Sequence, residues 1–259
     1  MAENSPGVAA YDDFAAYYDI SDIDRAPETA YYCSLVRDGV HSLLELACGT
    51  GTITIPMARK LIERSGPAAR VVGIDESEKM LKVARRRASD IEWISGDMRR
   101  PRVDGPFDLV ICCYHSLQVL LSDDDMLQCF RNVREILAPD GIFAFSIYQP
   151  NLEFLNAPHA DHAVRSFADA QGRQLEVRER GEYDSASRIL ANDWRVVEQG
   201  KADGVPIASM HLLIRQYFPE DIERLLAAAG LAICERYGDY DRSPFTADTK
   251  RQVIVCRRA

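Results

Sequence analysis

Short apolar segments alternate with longer amphipathic ones between residues 43 and 150, a pattern typical of alternating strands and helices. The apolar segments predict strands at 43–47, 71–75, 91–94, 109–113 and 142–148. Between the second and third strands, a helix is predicted from the N-cap Ser77 to Ala88. Apolar residues at helical spacing over 126–137 predict another helix, which Pro139-Asp140-Gly141 is expected to stop. Such alternation favours an α/β fold, with a parallel sheet covered on both faces.

The pattern changes after about residue 160, where apolar and polar residues alternate with period two between glycines. This alternation predicts antiparallel strands lying against or over the core. A helix is predicted over 219–229, with proline at its start and Gly230 at its end, followed by two closing strands at 231–237 and 252–256. Ahead of the first strand, residues 1–10 are expected to be loose and residues 11–33 to form a pair of short helices.

These segments predict four parts of the chain. They are an N-terminal helical cap at 1–40, an α/β core at 41–150, an antiparallel β lid at 151–218, and a completion of the core sheet at 219–259.

Composition narrows the possible partners. The net charge of −9 disfavours a nucleic-acid backbone as ligand, because such binding rests on Lys and Arg neutralising phosphates. The seven cysteines show no metal-ligand spacing with the five histidines, so we expect no metal site. An odd number of cysteines suggests a reducing cytosol, and no apolar segment is long enough to predict secretion or a membrane span. We therefore expect a cytoplasmic monomer or homodimer.

The end of the first strand carries the most informative residues of the chain. Gly49 and Gly51 allow positive φ angles and let a ligand approach the backbone without meeting a Cβ. Asp75 ends the next strand, where an acid can bind the two hydroxyls of a ribose. A dinucleotide site would place a third glycine where this chain has Thr54, which disfavours NAD. Glu45 lies inside the strand, where a carboxylate suits a cationic ligand, directly or through water.

The segment Glu-Leu-Ala-Cys-Gly-Thr-Gly (45–51) resembles motif I of the class I S-adenosylmethionine (SAM) methyltransferases. Three further segments, at 73–81, 95–99 and 225–231, resemble small-molecule N-methyltransferases of this family, including glycine N-methyltransferases and amino-sugar N,N-dimethyltransferases. The resemblance implies a Rossmann-like seven-stranded sheet, SAM as cofactor with S-adenosylhomocysteine as product, and a small-molecule methyl acceptor. Transfer to nitrogen is slightly favoured over transfer to oxygen, and a role in natural-product biosynthesis is expected.

The same resemblance implies the positions that contact SAM. Residues around the amino-acid end would be Glu45, Ala47, Cys48, Gly49, Gly51 and Cys113, with Tyr18 closing the pocket. Asp75 and Glu76 would face the ribose, and Met80, Asp97 and Met98 the adenine.

His115 follows the fourth strand, beside the expected methyl group, and is the candidate general base or orienting group. The amino-sugar enzymes carry a histidine where this chain has Val119, a departure that puts a sugar acceptor in question. Aromatic residues and one arginine are candidates to line the acceptor chamber: Tyr11, Tyr17, Tyr32, Tyr148, Trp194, Arg215 and Tyr217. Arg215 is singled out because a fixed guanidinium can bind a carboxylate or enolate.

Two other functions compete with the small-molecule enzyme. A nucleic-acid (tRNA) methyltransferase acting on exocyclic amines would carry an Asn/Asp-Pro-Pro-aromatic turn, whereas this chain has Cys113-Tyr114-His115-Ser116. The intact glycine turn and His115 argue mildly against a non-catalytic SAM-binding regulator.

Overall fold

The structure is a computed structural model and describes residues 11–19, 25–157, 159–202 and 204–259. The prediction that residues 1–10 are loose lies outside the described residues. Residues 11–14 form a helical turn. The helices that follow are α1 Ala26–Ser34, α2 Thr54–Ser65, α3 Glu78–Arg87, α4 Asp123–Ile136, α5 Leu152–Asn156 and α6 Pro219–Ala228. The strands are β1 Ser42–Leu46, β2 Arg70–Asp75, β3 Glu92–Ser95, β4 Phe107–Cys112, β5 Leu137–Tyr148, β6 His162–Ala168, β7 Gln174–Asp184, β8 Ile189–Glu198, β9 Ala208–Arg215, β10 Leu231–Tyr237 and β11 Arg251–Arg258.

A seven-stranded sheet forms the core, in the order β10-β11-β5-β4-β1-β2-β3. The five strands from β1 to β5 pair in parallel, and β11 is antiparallel to both of its neighbours. The predicted α/β fold with a seven-stranded sheet is confirmed. Strands β2 and β3 are added on one side of β1, and β4 and β5 on the other side. In open α/β sheets, ligands bind at such a topological switch point, which here lies between β1 and β4.

Both faces of this sheet are buried because its strands are apolar on both sides. In β1, Leu44 and Leu46 belong to one hydrophobic cluster and Leu43 to another. All three leucines are fully buried. Helices therefore cover each face of the sheet, and the carboxyl ends of the parallel strands remain as the edge where a ligand can enter.

Most predicted boundaries agree with the structure within a few residues. Helix α3 begins as predicted, with the Ser77 hydroxyl accepting a hydrogen bond from the Met80 amide at 3.1 Å. One prediction was wrong: residues 139–141 lie inside strand β5, not between a helix and a strand. Helix α4 already ends at Ile136, because Leu137 takes an extended conformation with φ −70° and ψ 140°.

A second sheet, antiparallel and in the order β6-β7-β8-β9, forms over residues 162–215. We call it the lid sheet. Its buried residues form their own hydrophobic cluster, which includes Leu175, Val177 and Val196. The cluster also contains Phe14, so the N-terminal segment 11–19 packs directly against the lid sheet.

Among the described residues, no helix is long and apolar enough to cross a membrane.

Candidate functional site

The turn after β1 is held in left-handed conformations. Ala47, Gly49 and Gly51 have φ angles of 54°, 54° and 79°. A Cβ on Gly51 would lie 2.6 Å from Cη2 of Trp93, whereas a Cβ on Gly49 would meet nothing within 4 Å. The two glycines therefore serve different purposes. Gly51 lets the turn pack on the protein, and Gly49 leaves open space in front of the turn.

Asp75, at the end of β2, fastens this turn to the start of α3. Its Oδ2 accepts a hydrogen bond from the Gly49 amide and its Oδ1 one from the Ser77 amide, both at 2.8 Å. Burial raises the pKa of Asp75 to about 6, against the opposing effect of these two amides. Each carboxylate oxygen has a second lone pair, so the ribose hydroxyls expected here still have acceptors.

Glu45 is a buried acid beneath the same turn, with an exposure of 2 %. Burial raises its pKa to about 8, although hydrogen bonds from the Thr54 hydroxyl and the Cys113 thiol oppose the rise. Glu45 is therefore mostly protonated at neutral pH as long as no positive charge is nearby. A cation arriving above it would convert it to a carboxylate.

A cavity opens between the glycine turn, the end of β4 and the N-terminal segment. Its lining residues are Tyr18, Arg25, Glu45, Ala47, Cys48, Gly49, Thr52, Ile53, Cys113, Tyr114 and Ser116. Six of them were predicted from the sequence to contact SAM, namely Tyr18, Glu45, Ala47, Cys48, Gly49 and Cys113. The structure thus brings most of the predicted amino-acid end of the site together.

Arg25 is a cavity residue that the sequence analysis missed. It precedes α1, and its guanidinium carbon lies 3.9 Å from the ring centroid of Tyr114 and 4.8 Å from that of Tyr18. These stacking contacts aim a positive charge at the cavity. The motif at 45–51 gives no sign of it, because Arg25 reaches the cavity through the fold of a separate segment.

The N-terminal segment is fastened over the glycine turn by Asp19. The Asp19 carboxylate accepts hydrogen bonds from the hydroxyls of Thr50 and Thr52, at 2.8 and 3.0 Å, and pairs with Arg87 at 3.0 Å. On the other side Asp12 accepts a hydrogen bond from the Ser77 hydroxyl at 2.5 Å. The segment therefore closes the cavity from above, which is where the sequence placed Tyr18.

His115 follows β4 and lies in sequence between the cavity-lining residues Tyr114 and Ser116. It has a φ of 60°, and its ring stacks on Tyr148 with the centroids 3.6 Å apart. Its Nδ1 is buried and has no hydrogen-bond partner among the described residues. Burial, together with the smaller effect of the Arg251 charge, lowers the pKa of His115 to about 3. The ring is therefore neutral at physiological pH.

Among the residues predicted to contact adenine, Met80 lies in the first turn of α3, and Asp97 and Met98 follow β3. Met80 is buried, and Met98 packs against the core. Asp97 accepts hydrogen bonds from the backbone amide and the Nε of Arg99, both at 2.7 Å. Glu76 is half-buried directly after Asp75. Nothing in the geometry tests these adenine contacts, and they stay predictions.

The predicted acceptor residues divide into two groups. Tyr11 and Tyr17 lie in the N-terminal segment, with ring centroids 6.3 Å from those of Tyr18 and Phe167 respectively. Trp194, on the lid sheet, lies 6.3 Å from the ring of Phe14. These aromatic residues therefore cluster between the N-terminal segment and the lid sheet. Their contact with an acceptor stays a prediction.

Arg215 lies elsewhere. Its guanidinium donates to the backbone oxygen of Leu121 at 2.9 Å and pairs with Asp123 at 2.7 Å, so both terminal nitrogens are engaged by protein. It thereby fastens β9 to the start of α4. Tyr32 and Tyr217 are completely buried. The Tyr217 hydroxyl donates to the backbone oxygen of Leu120 at 2.5 Å, so this ring belongs to the core and not to a chamber wall.

The chain resembles known proteins over the residues that form this site. Residues 43–141 match a family model described as a methyltransferase domain. The putative methyltransferase YqeM of Bacillus subtilis (strain 168) is 36 % identical over 146 residues, which cover 53 % of this chain and 55 % of that protein. The dTDP-3-amino-3,4,6-trideoxy-alpha-D-glucopyranose N,N-dimethyltransferase of Streptomyces venezuelae is 29 % identical over 229 residues, or 85 % of this chain and 91 % of that one.

The CcbJ methyltransferase from Streptomyces caelestis superposes with a TM-score of 0.81 at 23 % identity, covering 96 % of this chain and 98 % of that one. The chain spans about half the length of the first curated relatives that it matches. Residues 43–141 thus match a methyltransferase domain, and the chain has the same fold as the CcbJ methyltransferase.

Proposed function

We propose that the protein transfers a methyl group from SAM to a nitrogen of a small-molecule acceptor. The observation that carries the proposal is the left-handed turn at Gly49, which is held by the Asp75 carboxylate and leaves open space beside a cavity lined by Glu45. A ligand that combines a ribose with positive charges complements these two acids. The curated relatives support methyl transfer as the reaction, and the Streptomyces venezuelae relative supports nitrogen as the acceptor atom.

The residues of the cavity fit SAM by their charges. Asp75 would bind the ribose hydroxyls through its free lone pairs, and Glu45 would face the ammonium group. Arg25, aimed at the cavity by Tyr18 and Tyr114, would bind the carboxylate of the same amino-acid end. When bound, SAM supplies a methyl group already activated by its sulfonium. The protein then needs only to hold the acceptor nitrogen in line with the bond that breaks.

We assign His115 the role of an orienting group and not of a general base. An effective base has a pKa near the working pH, and burial holds the pKa of His115 at about 3. Its Nδ1, buried without a partner among the described residues, can instead accept or donate one hydrogen bond to a bound acceptor. The ring is fixed for this purpose by its stacking on Tyr148.

Isothermal titration with SAM and S-adenosylhomocysteine tests the cofactor, and failure to bind either would refute the proposal. The acceptor is found by incubating the protein with deuteromethyl-labelled SAM and a cell extract, followed by mass spectrometry. We expect a small molecule heavier by one labelled methyl group or two. Label recovered only in tRNA would identify a nucleic-acid enzyme, and tight SAM binding without any labelled product would identify a regulator.

Replacing His115 with glutamine is expected to lower kcat about tenfold, because a flexible amide replaces a stacked ring that orients the acceptor. SAM affinity should stay within about twofold of the wild type, since His115 is not among the cavity-lining residues. The pH profile of kcat supplies the decisive readout. No inflection attributable to His115 is expected between pH 5 and 8. An inflection near pH 6.5 that disappears in the variant would show that His115 acts as a general base.

A further inference from the structure

The turn that follows β4 is strained. Tyr114 and His115 have φ angles of 61° and 60°, and no other neighbouring pair of non-glycine residues in the described chain is left-handed. Residues with a Cβ adopt this conformation only where the surrounding structure holds them in it. Tyr114 lines the cavity, and His115 is the proposed orienting group. The shape of this turn therefore determines where both side chains lie.

Glu28, in the first turn of α1, binds the backbone of this turn. Its Oε1 accepts a hydrogen bond from the Tyr114 amide at 3.1 Å. The Glu28 side chain is buried, with an exposure of 5 %. Because Tyr114 lies beyond the end of β4, Glu28 takes the place of a strand partner for its amide.

Glu28 is itself fixed by a buried hydroxyl group from a distant part of the chain. The Tyr240 hydroxyl, in the loop between β10 and β11, donates to the same Oε1 at 2.6 Å. Ser146 of β5 shares a hydrogen bond of 3.0 Å with this hydroxyl, and both residues are buried. The guanidinium carbon of Arg251 lies 4.7 Å from the ring centroid of Tyr240. Separate segments thus fix one carboxyl oxygen against the turn.

The contact needs an acceptor oxygen and not a negative charge. Burial raises the pKa of Glu28, against the opposing effect of the hydrogen bonds from Tyr240 and Tyr114. Both donors bind Oε1, so the other oxygen can carry a proton without breaking either bond. A glutamine amide would offer the same acceptor oxygen. An apolar side chain would leave the Tyr114 amide without this partner.

We propose that Glu28 is a positioning residue for methyl transfer, which holds the turn after β4 so that Tyr114 and His115 keep their places beside the acceptor. It acts through the backbone of Tyr114 and not on the acceptor itself. Without this hydrogen bond the left-handed residues would relax, and the His115 ring would leave its stack on Tyr148. The inference rests on the proposed function, because it concerns groups of that same site.

The test compares the wild type with Glu28→Gln, the double variant Glu28→Leu/Tyr240→Phe and the control Tyr31→Phe. The double variant removes the acceptor and its hydroxyl donor together, so the Tyr240 hydroxyl is not left beside a leucine. Tyr31 packs on Tyr240 with the ring centroids 5.9 Å apart, and its buried hydroxyl has no partner among the described residues. The control therefore perturbs the same aromatic cluster without touching the turn.

The first readout is the initial rate of label transfer from saturating deuteromethyl-labelled SAM to the acceptor in a cell extract. We expect the double variant to lose at least about 30-fold, because a misplacement of about 1 Å can cost about 10²-fold in rate. Glu28→Gln and Tyr31→Phe should stay within about threefold of the wild type, since both keep an acceptor oxygen for the Tyr114 amide.

The second readout is histidine NMR of the folded proteins saturated with S-adenosylhomocysteine, with the His115 signal assigned from His115→Gln. In the wild type, Glu28→Gln and the control, this signal should not titrate between pH 5 and 8, because the pKa of His115 is about 3. In the double variant the ring should become hydrated and titrate closer to the ordinary histidine value of about 6.5. A loss of stability alone would not produce this change.

A folded double variant in which either readout stays at the wild-type value would overturn the inference. A Glu28→Gln protein as impaired as the double variant would also overturn it, because the charge of Glu28 would then matter and not its acceptor oxygen. The same holds for a control as impaired as the double variant. If the double variant does not fold, amide hydrogen exchange in the wild type decides. The Tyr114 amide should exchange at least about 10²-fold more slowly than an unprotected amide, and fast exchange would overturn the inference.

Calorimetric binding of S-adenosylhomocysteine in the same samples reports separately on the proposed function. A folded wild type that binds no S-adenosylhomocysteine refutes the proposed function. A wild type that binds it and transfers label, beside a double variant of equal activity, refutes only the role of Glu28.

Discussion

Replacing Gly49 with valine should weaken the binding of S-adenosylhomocysteine by at least about 10³-fold, or roughly 4 kcal/mol. The backbone at Gly49 has a φ of 54°, and a Cβ there would meet no protein atom within 4 Å. The added side chain would therefore occupy the space left for the ligand instead of colliding with the protein. The strain of a left-handed branched residue should cost about 2 kcal/mol of stability, and isothermal titration with a thermal melt measures both effects.

Gly51→Ala is the matched control in the same turn. A Cβ on Gly51 would lie 2.6 Å from Cη2 of Trp93, and the φ of 79° adds strain. This variant should lose about 2–4 kcal/mol of stability, with a smaller loss of ligand affinity in the molecules that stay folded. A Gly49→Val protein that still binds S-adenosylhomocysteine with wild-type affinity would show that the ligand does not approach the turn there.

Replacing Glu45 with glutamine should weaken SAM binding about 30- to 100-fold at pH 8.5 while raising the thermal stability of the free protein. Burial holds the pKa of Glu45 at about 8, above its ordinary value of 4.5. A raised folded-state pKa contributes stability below pH 4.5, and this contribution is lost as the pH rises to about 8. Glutamine removes that loss. The free energy of unfolding of the variant should therefore exceed that of the wild type by on the order of 2 kcal/mol at pH 8.5 and equal it at pH 4.

Binding itself should reveal the proton on Glu45. A ligand cation favours the carboxylate, so binding below pH 8 should release a proton, and affinity should rise with pH up to about 8. Titration calorimetry in two buffers of different ionisation enthalpy measures this release, which Glu45→Gln should abolish. The control Glu78→Gln, on the exposed start of α3, should change neither quantity. Unchanged proton release in Glu45→Gln would show that the ligand cation does not bind near this acid.

The fold was largely predictable because its determinants are local. Short apolar runs such as 71–74 and 109–113 favour buried strands, and the cap at Ser77 acts within one helical turn. The start of β5 was not predictable in the same way. Pro139-Asp140-Gly141 has the composition of a turn, yet β5 begins at Leu137, which pairs with Phe107 of β4 across a register shift. Pairing with a strand distant in sequence outweighed the local preference.

The site was predictable where one motif builds it. Glu45, Ala47, Cys48 and Gly49 of the cavity lie within five positions of the chain, so their spacing indicates their shared location. Arg25 carries no such signal, because it reaches the cavity through the packing of a separate segment. The side chain of Arg215 was equally unpredictable. Its alternating strand pattern is that of a chamber residue, and only the fold shows that Asp123 binds it.

A crystal structure of the protein with S-adenosylhomocysteine tests the account most directly. The ligand's ribose hydroxyls should lie within hydrogen-bond distance of the Asp75 carboxylate, its amino group above Glu45, and its backbone contacts along Gly49. Electron density for the ligand at any other place, or a crevice beside Gly49 filled by protein atoms in the presence of saturating ligand, would contradict it.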